Sequence, residues 1–241
     1  IESCRQKDGG YYKESNPNYN SAIVLSMFAA LPGDQFKPQI KALQDFLKSL
    51  QQVEGKTDGA GKKITNDHPW YGGAGYGEDR PDLSNTSYFI EALHDSGVPA
   101  NDPAIQKALV FVTRCQMNGE TNDQPFAKKA TDGGFIYTPA AGGESKFGDI
   151  DKLEGGSQLR SYGSMTYAGF KSLLYAGLTD QDPRVQAAVK WITDNWTLEY
   201  NPGSSSFDGQ YYYYHAFARA MHAYGHDTIT DSKCVKHDWR K

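Results

Sequence analysis

A gapless internal repeat constrains the fold of this chain more than any other feature. Three stretches of about 30 residues align when one hydroxyl position is superimposed, namely Ser21, Thr86 and Thr166. Prolines then coincide at Pro38, Pro103 and Pro183. Apolar positions fall in register as well, since Phe46, Phe111 and Trp191 align. A repeat of this length indicates one supersecondary unit that is copied and stacked.

Each copy predicts two helices of different character. The first helix is apolar or small on most sides, as in the stretch from Ala22 to Phe28, so we expect other parts of the protein to enclose it. The second helix begins with Asp102-Pro103 or Asp182-Pro183, where Asp caps the helix and Pro occupies its first position. Its apolar residues form a single stripe, which predicts an outer position.

A glycine-rich loop with aromatic residues closes each unit. The four versions are residues 8–11, 70–76, 132–135 and 208–211. Glutamine precedes three of them, at Gln6, Gln51 and Gln116. Glycine permits a close approach of the backbone, and we expect the aromatic side chain to pack onto the neighbouring unit.

Glutamine at a helix end followed by Gly-x-aromatic resembles the QW-type repeat of squalene-hopene cyclases, most closely in Gln6-Lys7-Asp8-Gly9-Gly10-Tyr11. The stretches 81–87 and 164–170 resemble the inner-helix starts of the prenyltransferase/squalene-cyclase superfamily. The resemblance covers nearly the whole chain. It implies an all-α fold, an α/α toroid or partial α/α barrel, in which inner helices line a cavity and outer helices surround them. The predicted single domain has units at 17–76, 82–137 and 162–211, a final inner helix at 212–225 and a polar tail at 226–241.

The family's catalytic motifs do not carry over to the aligned positions. Class II cyclases of this family use Asp-x-Asp-Asp-Thr, and here Ser84 stands where the resemblance requires the proton donor, after Asp82. Tyr162 and Ser164 occupy the aligned positions of two zinc ligands of protein prenyltransferases, and His215 lies close to the third. The sequence therefore favours a protein that is not an enzyme of these kinds, and it predicts no metal and no cofactor.

Two other functional readings remain open. Asp149 and Asp151 lie in a long insert and could, with Asp82, serve as the carboxylates of an enzyme of this superfamily. A solvated polar loop is the preferred explanation of the pair, because the segment holds charges of both signs. A carbohydrate-active protein is the third reading, because aromatic-lined α/α barrels also suit oligosaccharides.

Tyrosine is abundant, with 16 residues in 241, and the resemblance brings many of them to the cavity end of the fold. The candidate ligand-binding residues are Trp70, Tyr76, Ser84, Tyr162, Ser164, Tyr211, Tyr212, Tyr214 and His215. Aromatic faces of this kind suit an isoprenoid chain or a sugar ring. The first reading is thus a binding or scaffold unit, with an apolar or isoprenoid-like small molecule as its ligand.

Charge and chain ends limit the partners. The net charge is −4 and no block of basic residues occurs, so nucleic acid is not an expected partner, and no apolar run has the length of a transmembrane segment. The chain begins with Ile1, and we expect a preceding segment that is removed on export or otherwise missing. Because the resemblance implies more units, another segment or a partner chain is expected to cover the open end. Cys4 and Cys234 either pair or remain free thiols.

Overall fold

The computed structural model describes residues 1–153, 156–204 and 208–241, with side chains outside 151–157. The chain divides into two compact units, Ile1–Phe111 and Val112–Lys241. Most regular structure in the described residues is helical, as the repeat predicts.

The first unit is built from consecutive helices. These are α1 (Pro17–Ala30), α2 (Lys37–Leu50), α3 (Leu83–Asp95) and the start of α4 (Pro103–Cys115). α1 packs against both α2 and α3. Prolines lie at the first turns of α1 and α2, where the missing N–H has no helical partner in any case. A short 3₁₀ turn, Glu2–Cys4, precedes them.

In its described residues, the second unit contains three further α-helices, two short 3₁₀ helices (Pro125–Ala127 and Ala140–Gly142) and two small hairpins. The helices are α5 (Gly163–Tyr175), α6 (Pro183–Asp194) and α7 (Gln210–Tyr224). The strands are β1 (Asp149–Leu153), β2 (Gly156–Leu159), β3 (Thr228–Thr230) and β4 (Lys236–Asp238), paired antiparallel as β1–β2 and β3–β4. The long insert and the tail thus contain short strands, which the sequence did not predict.

Glutamine side chains join successive helix pairs. Gln51 follows α2, and its Nε2 donates to the carbonyl oxygen of Gly72 at 2.9 Å and to that of Ala104 at 2.8 Å. Gly72 belongs to the loop and Ala104 to the first turn of α4. The same two bonds recur from Gln116 to Gly133 and Arg184, at 2.9 and 2.8 Å. In each case, one buried glutamine side chain therefore links the glycine-rich loop that follows it to the second helix of the next helix pair.

A second repeated bond ties each loop to a first helix. The backbone N–H of the loop donates to a hydroxyl in all three copies: Tyr11 to Ser21 at 2.9 Å, Ala74 to Thr86 at 3.0 Å and Phe135 to Thr166 at 3.1 Å. These hydroxyls are the residues superimposed in the sequence alignment. The structure therefore repeats at the spacing that the sequence repeat predicts.

Two loop glycines lie where no side chain fits. At Gly72, with φ of +81°, a Cβ atom would fall 1.8 Å from the carbonyl oxygen of Lys107 in α4. At Gly133, with φ of +77°, it would fall 2.4 Å from the carbonyl oxygen of Ala187 in α6. The loop can approach the helix backbone so closely only because glycine has no side chain.

Candidate functional site

The aspartate at the start of the cyclase-like motif is a helix cap. Asp82 precedes α3, and its Oδ1 accepts the backbone N–H of Asn85 at 2.9 Å while its Oδ2 accepts the Asn85 side-chain amide at 2.8 Å. The residue is buried, whereas Ser84, in the first turn of α3, is half-buried. Capping satisfies a helix N–H that would otherwise lack a partner, so the carboxylate has a structural task at this position.

Three tyrosines gather beside the starts of α1 and α3, and we name Tyr19, Tyr76 and Tyr88 the tyrosine cluster. The Tyr19 ring lies 5.0 Å from that of Tyr88, edge to face, and 6.4 Å from that of Tyr76. The Tyr76 carbonyl accepts the backbone N–H of Asn18 at 2.9 Å, which holds the loop over α1. Tyr76 is exposed and the other two are half-buried, so the cluster offers aromatic surface to solvent.

The candidate Trp70 lies earlier in the same loop. It is half-buried, and its ring meets that of His68 edge to face at 6.0 Å. Its backbone N–H donates to Nδ1 of His68 at 3.1 Å. No ring contact among the described residues joins Trp70 to the tyrosine cluster.

The two positions aligned with zinc ligands are buried contacts in the second unit. Tyr162 caps α5, and its ring meets Phe147 edge to face at 4.7 Å. The backbone N–H of Ser164 donates to Oδ1 of Asn201 at 2.9 Å, and Nδ2 of Asn201 donates to the Ser164 hydroxyl at 3.1 Å. The side chain of Asn201 therefore caps the N-terminus of α5, as that of Asp82 caps α3.

The tyrosines of α7 differ in exposure. Tyr211 is 90% exposed, Tyr214 is exposed with its hydroxyl donating to the Leu198 carbonyl at 2.7 Å, and Tyr212 is half-buried. His215 is exposed on the same helix. Burial raises the pKa of Tyr213, which packs against Tyr167 at a ring distance of 5.7 Å.

Of the two carboxylates predicted in the long insert, Asp149 has a described side chain and Asp151 has not. Asp149 is exposed in β1 and pairs in register with Leu159. The side chain of Asp151 lies outside the described residues. Within the described part of the chain, no three His, Cys, Asp or Glu residues are grouped so that they could hold a metal ion.

Sequence reasoning missed an aspartate in the second unit. Oδ1 of Asp132 accepts the backbone N–H of Gly134 at 2.9 Å and the hydroxyl of Ser161 at 3.0 Å. Burial raises the pKa of Asp132 to about 6. The carboxyl borders a cavity of about 380 Å³ that Arg160 and Lys190 also line. No sequence signal marks it, because the Asp-Gly-Gly pattern also occurs at Asp8, which is exposed.

Comparisons with protein-family models and with curated proteins find no match to this chain. In the described part of the chain, every helix is too short or too polar to cross a membrane. All three cysteines are free thiols, with Cys115 buried, Cys4 half-buried and Cys234 exposed.

Proposed function

We propose that this protein is a repeat module of the squalene-cyclase and prenyltransferase type, with toroidal architecture, that binds an apolar, isoprenoid-like molecule without transforming it. The binding surface is the tyrosine cluster. The observation that carries the proposal combines two features of the first unit. The tyrosine cluster exposes aromatic surface, and both carboxylate oxygens of Asp82 accept hydrogen bonds from Asn85 at the start of α3.

The state of Asp82 argues against acid catalysis. A general acid must present a proton to the substrate, and its carboxyl needs an oxygen that reaches the ligand. Both oxygens of Asp82 accept hydrogen bonds from Asn85, so both are engaged at the start of α3. Ser84 cannot supply the proton, because a hydroxyl is far too weak an acid.

The tyrosine cluster supports an apolar ligand. Aromatic rings offer large contact area with few rotatable bonds, and each hydroxyl can orient a polar head group. Tyr76 is the most accessible ring of the three, and it is anchored by its backbone bond to Asn18. This bond holds the backbone of the loop, and binding at a held loop loses less conformational entropy than binding at a mobile one.

Titration of the protein with geranylgeraniol, followed by tyrosine fluorescence, tests the binding. We expect saturable quenching with the wild type, and at least a tenfold lower affinity for geranylgeraniol with Tyr76→Ala. Tyr200→Ala is the matched control, since Tyr200 is similarly exposed but lies outside the cluster. No saturable binding, or equal loss in both variants, would contradict the proposal.

A second experiment tests whether the protein converts isoprenoid substrates into products. The protein is incubated with squalene, and separately with farnesyl diphosphate and a cysteine-containing peptide, and the products are analysed by mass spectrometry. We expect no product. Asp82→Asn keeps an oxygen that can cap α3 but removes the acid. If the wild type forms a product and this folded variant does not, the protein is an enzyme that uses Asp82, and the proposal is wrong.

Exposed tyrosines on α7 favour a second candidate, an oligosaccharide ligand. Tyr211 is almost fully exposed, and Tyr214 presents its ring beside it on the same helix. Sugar rings stack on such side chains. Binding of maltohexaose that is lost in Tyr211→Ala, with no binding of geranylgeraniol, would favour this candidate over the isoprenoid.

A further inference from the structure

The cavity beside Asp132, in the second unit, collects polar groups that the chain itself leaves without partners. Its volume of about 380 Å³ lies within the roughly 300–1,000 Å³ of small-molecule sites. Lys190 and Asp194, which also line it, form an ion pair with each other one turn apart in α6. Hydrogen-bonding groups that no described residue uses remain on Asp132, Arg160 and Trp191.

The carboxyl of Asp132 has one oxygen to offer. Its two bonds, from the Gly134 N–H and the Ser161 hydroxyl, both end on Oδ1. In the described part of the chain, Oδ2 accepts no hydrogen bond and no cation pairs with the carboxyl. A carboxylate that is partly withdrawn from water and lacks a counter-charge favours a ligand group that is positively charged and donates hydrogen bonds.

The indole of Trp191 offers a donor next to this carboxyl. Trp191 is only 6% exposed, and its Nε1 donates to no described residue. A Cβ atom built on Gly134 would fall 2.6 Å from that nitrogen and 2.6 Å from the Cβ of Ser161. The nitrogen therefore lies beside the two residues that bond to Asp132. A buried N–H without an acceptor is unfavourable, so an acceptor on a ligand would stabilise this arrangement.

Arg160 adds a positive charge to the lining of the cavity. Its Nη2 donates to the Asp149 carbonyl at 3.2 Å, and no described carboxylate pairs with the guanidinium. A guanidinium can hold a carboxylate through two parallel hydrogen bonds. Arg160 and Asp132 line the same cavity without bonding to each other, so a ligand can bridge two opposite charges there.

We propose that this cavity binds a free aliphatic amino acid, with its ammonium at Oδ2 of Asp132 and its carboxylate at Arg160 and the Trp191 N–H. Such a ligand carries one charge for each of the two opposite charges. A neutral sugar would leave both charges unpaired, and a simple anion would bring a second negative charge to Asp132. Ile150 and the Trp191 ring give the cavity an apolar wall, which suits an aliphatic side chain.

Calorimetric titration of the full chain with L-leucine and two analogues tests the pairing of charges, and it does not depend on the isoprenoid proposed for the first unit. Leucinamide lacks the carboxylate and 4-methylpentanoate lacks the ammonium, while the hydrocarbon part stays the same. We expect one leucine site per chain, and binding of each analogue that is weaker by about tenfold or more. Failure of leucine to bind, or equally tight binding of either analogue, would overturn the proposal.

Matched variants test the residues. Asp132→Asn and Arg160→Gln should each weaken leucine binding by about tenfold or more. Asp8→Asn is the control and should bind like the wild type, because Asp8 begins the same Asp-Gly-Gly turn but is exposed outside this cavity. Circular dichroism checks folding, and Arg160→Gln alters a partly exposed side chain, so it keeps the test valid if Asp132→Asn does not fold. Unchanged binding in Arg160→Gln would overturn the proposal.

The binding should also depend on pH. The charged groups that line the cavity with Asp132 are Arg160, Lys190 and Asp194. Because the pKa of Asp132 is about 6, its protonation removes the charge that holds the ammonium. Leucine affinity should therefore fall about tenfold from pH 7 to pH 5 in the wild type, and stay level in Asp132→Asn. A wild-type affinity that does not change over this range would overturn the pairing of the ammonium with Asp132.

Discussion

The side chain of Gln116, at the end of α4, donates a 2.8 Å hydrogen bond to the carbonyl oxygen of Arg184 in the first turn of α6. The same amide nitrogen reaches Gly133 of the loop at 2.9 Å. A backbone carbonyl that is buried without a partner costs about 1–3 kcal/mol. The Arg184 carbonyl also accepts the N–H four residues later in α6, so it is the Gly133 carbonyl that depends on this side chain.

Replacing the Gln116 side chain should therefore lower the stability of the folded protein. We expect Gln116→Leu to lower the free energy of unfolding by about 2 kcal/mol, because the Gly133 carbonyl loses this donor while the Arg184 carbonyl keeps its helical partner. Gln186→Leu is the matched control, since the amide of Gln186 bonds only to the Asp180 carbonyl at an exposed position, and a change within about 0.5 kcal/mol is expected. Urea unfolding measures both, and equal losses would show that the bridge adds no stability.

Alanine variants at Gly72 and Gly55 distinguish the cost of a positive φ from the cost of a steric clash with the backbone of α4. Both have a positive φ, +81° and +94°, so alanine at either position costs about 1–2 kcal/mol through strain. Only at Gly72 would the new Cβ clash with α4, since nothing lies within 4 Å at Gly55. We expect Gly72→Ala to cost at least about 2 kcal/mol more than Gly55→Ala. Thermal unfolding of the two variants provides the comparison, and equal melting temperatures would contradict it.

Asp132 should make stability depend on pH. The pKa of Asp132 in the folded protein is about 6, above the ordinary aspartate value of 3.8, so the folded protein binds more protons in that interval. The contribution of this group is therefore largest at low pH and is lost as the pH rises from about 4 to 6, by up to about 1.4 kcal/mol per pH unit.

Asp132→Asn removes this titration while it keeps an oxygen for Gly134 and Ser161. The difference in unfolding free energy between variant and wild type should grow in favour of the variant between pH 4 and 6, and stay constant above pH 7. Urea unfolding across this range measures it. A difference that does not change with pH would mean that Asp132 titrates alike in the folded and unfolded chain.

The helical repeat could be predicted because its signals are local. The α4 and α6 helices begin at Pro103 and Pro183, where Asp-Pro supplies both a cap and a fixed φ. The hydroxyls of Thr86 and Thr166 could be aligned by spacing alone, and their bonds to the loops recur. The toroid itself, and the activity that the resemblance implies, stay predictions.

The hairpins and the environment of Asp132 could not be predicted, since tertiary packing decides them. Strand β3 has three residues, too few for an alternating pattern, and Ile229 is buried although it lies in the polar tail. Asp8 and Asp132 begin the same Asp-Gly-Gly turn, and each accepts a backbone N–H two residues later at 2.9 Å. Only the surrounding chain, which includes Ser161, distinguishes the half-buried Asp132 from the exposed Asp8.

The glutamine bridges also determine how stability accumulates along the chain. Each bridge connects one helix pair with the next, so its free energy is a nearest-neighbour quantity. Stability then grows by increments as units are added, and helix pairs can lose protection against amide hydrogen exchange one after another. In this respect the chain is expected to behave like a one-dimensional array, in which unfolding begins at whichever pair has the fewest neighbours.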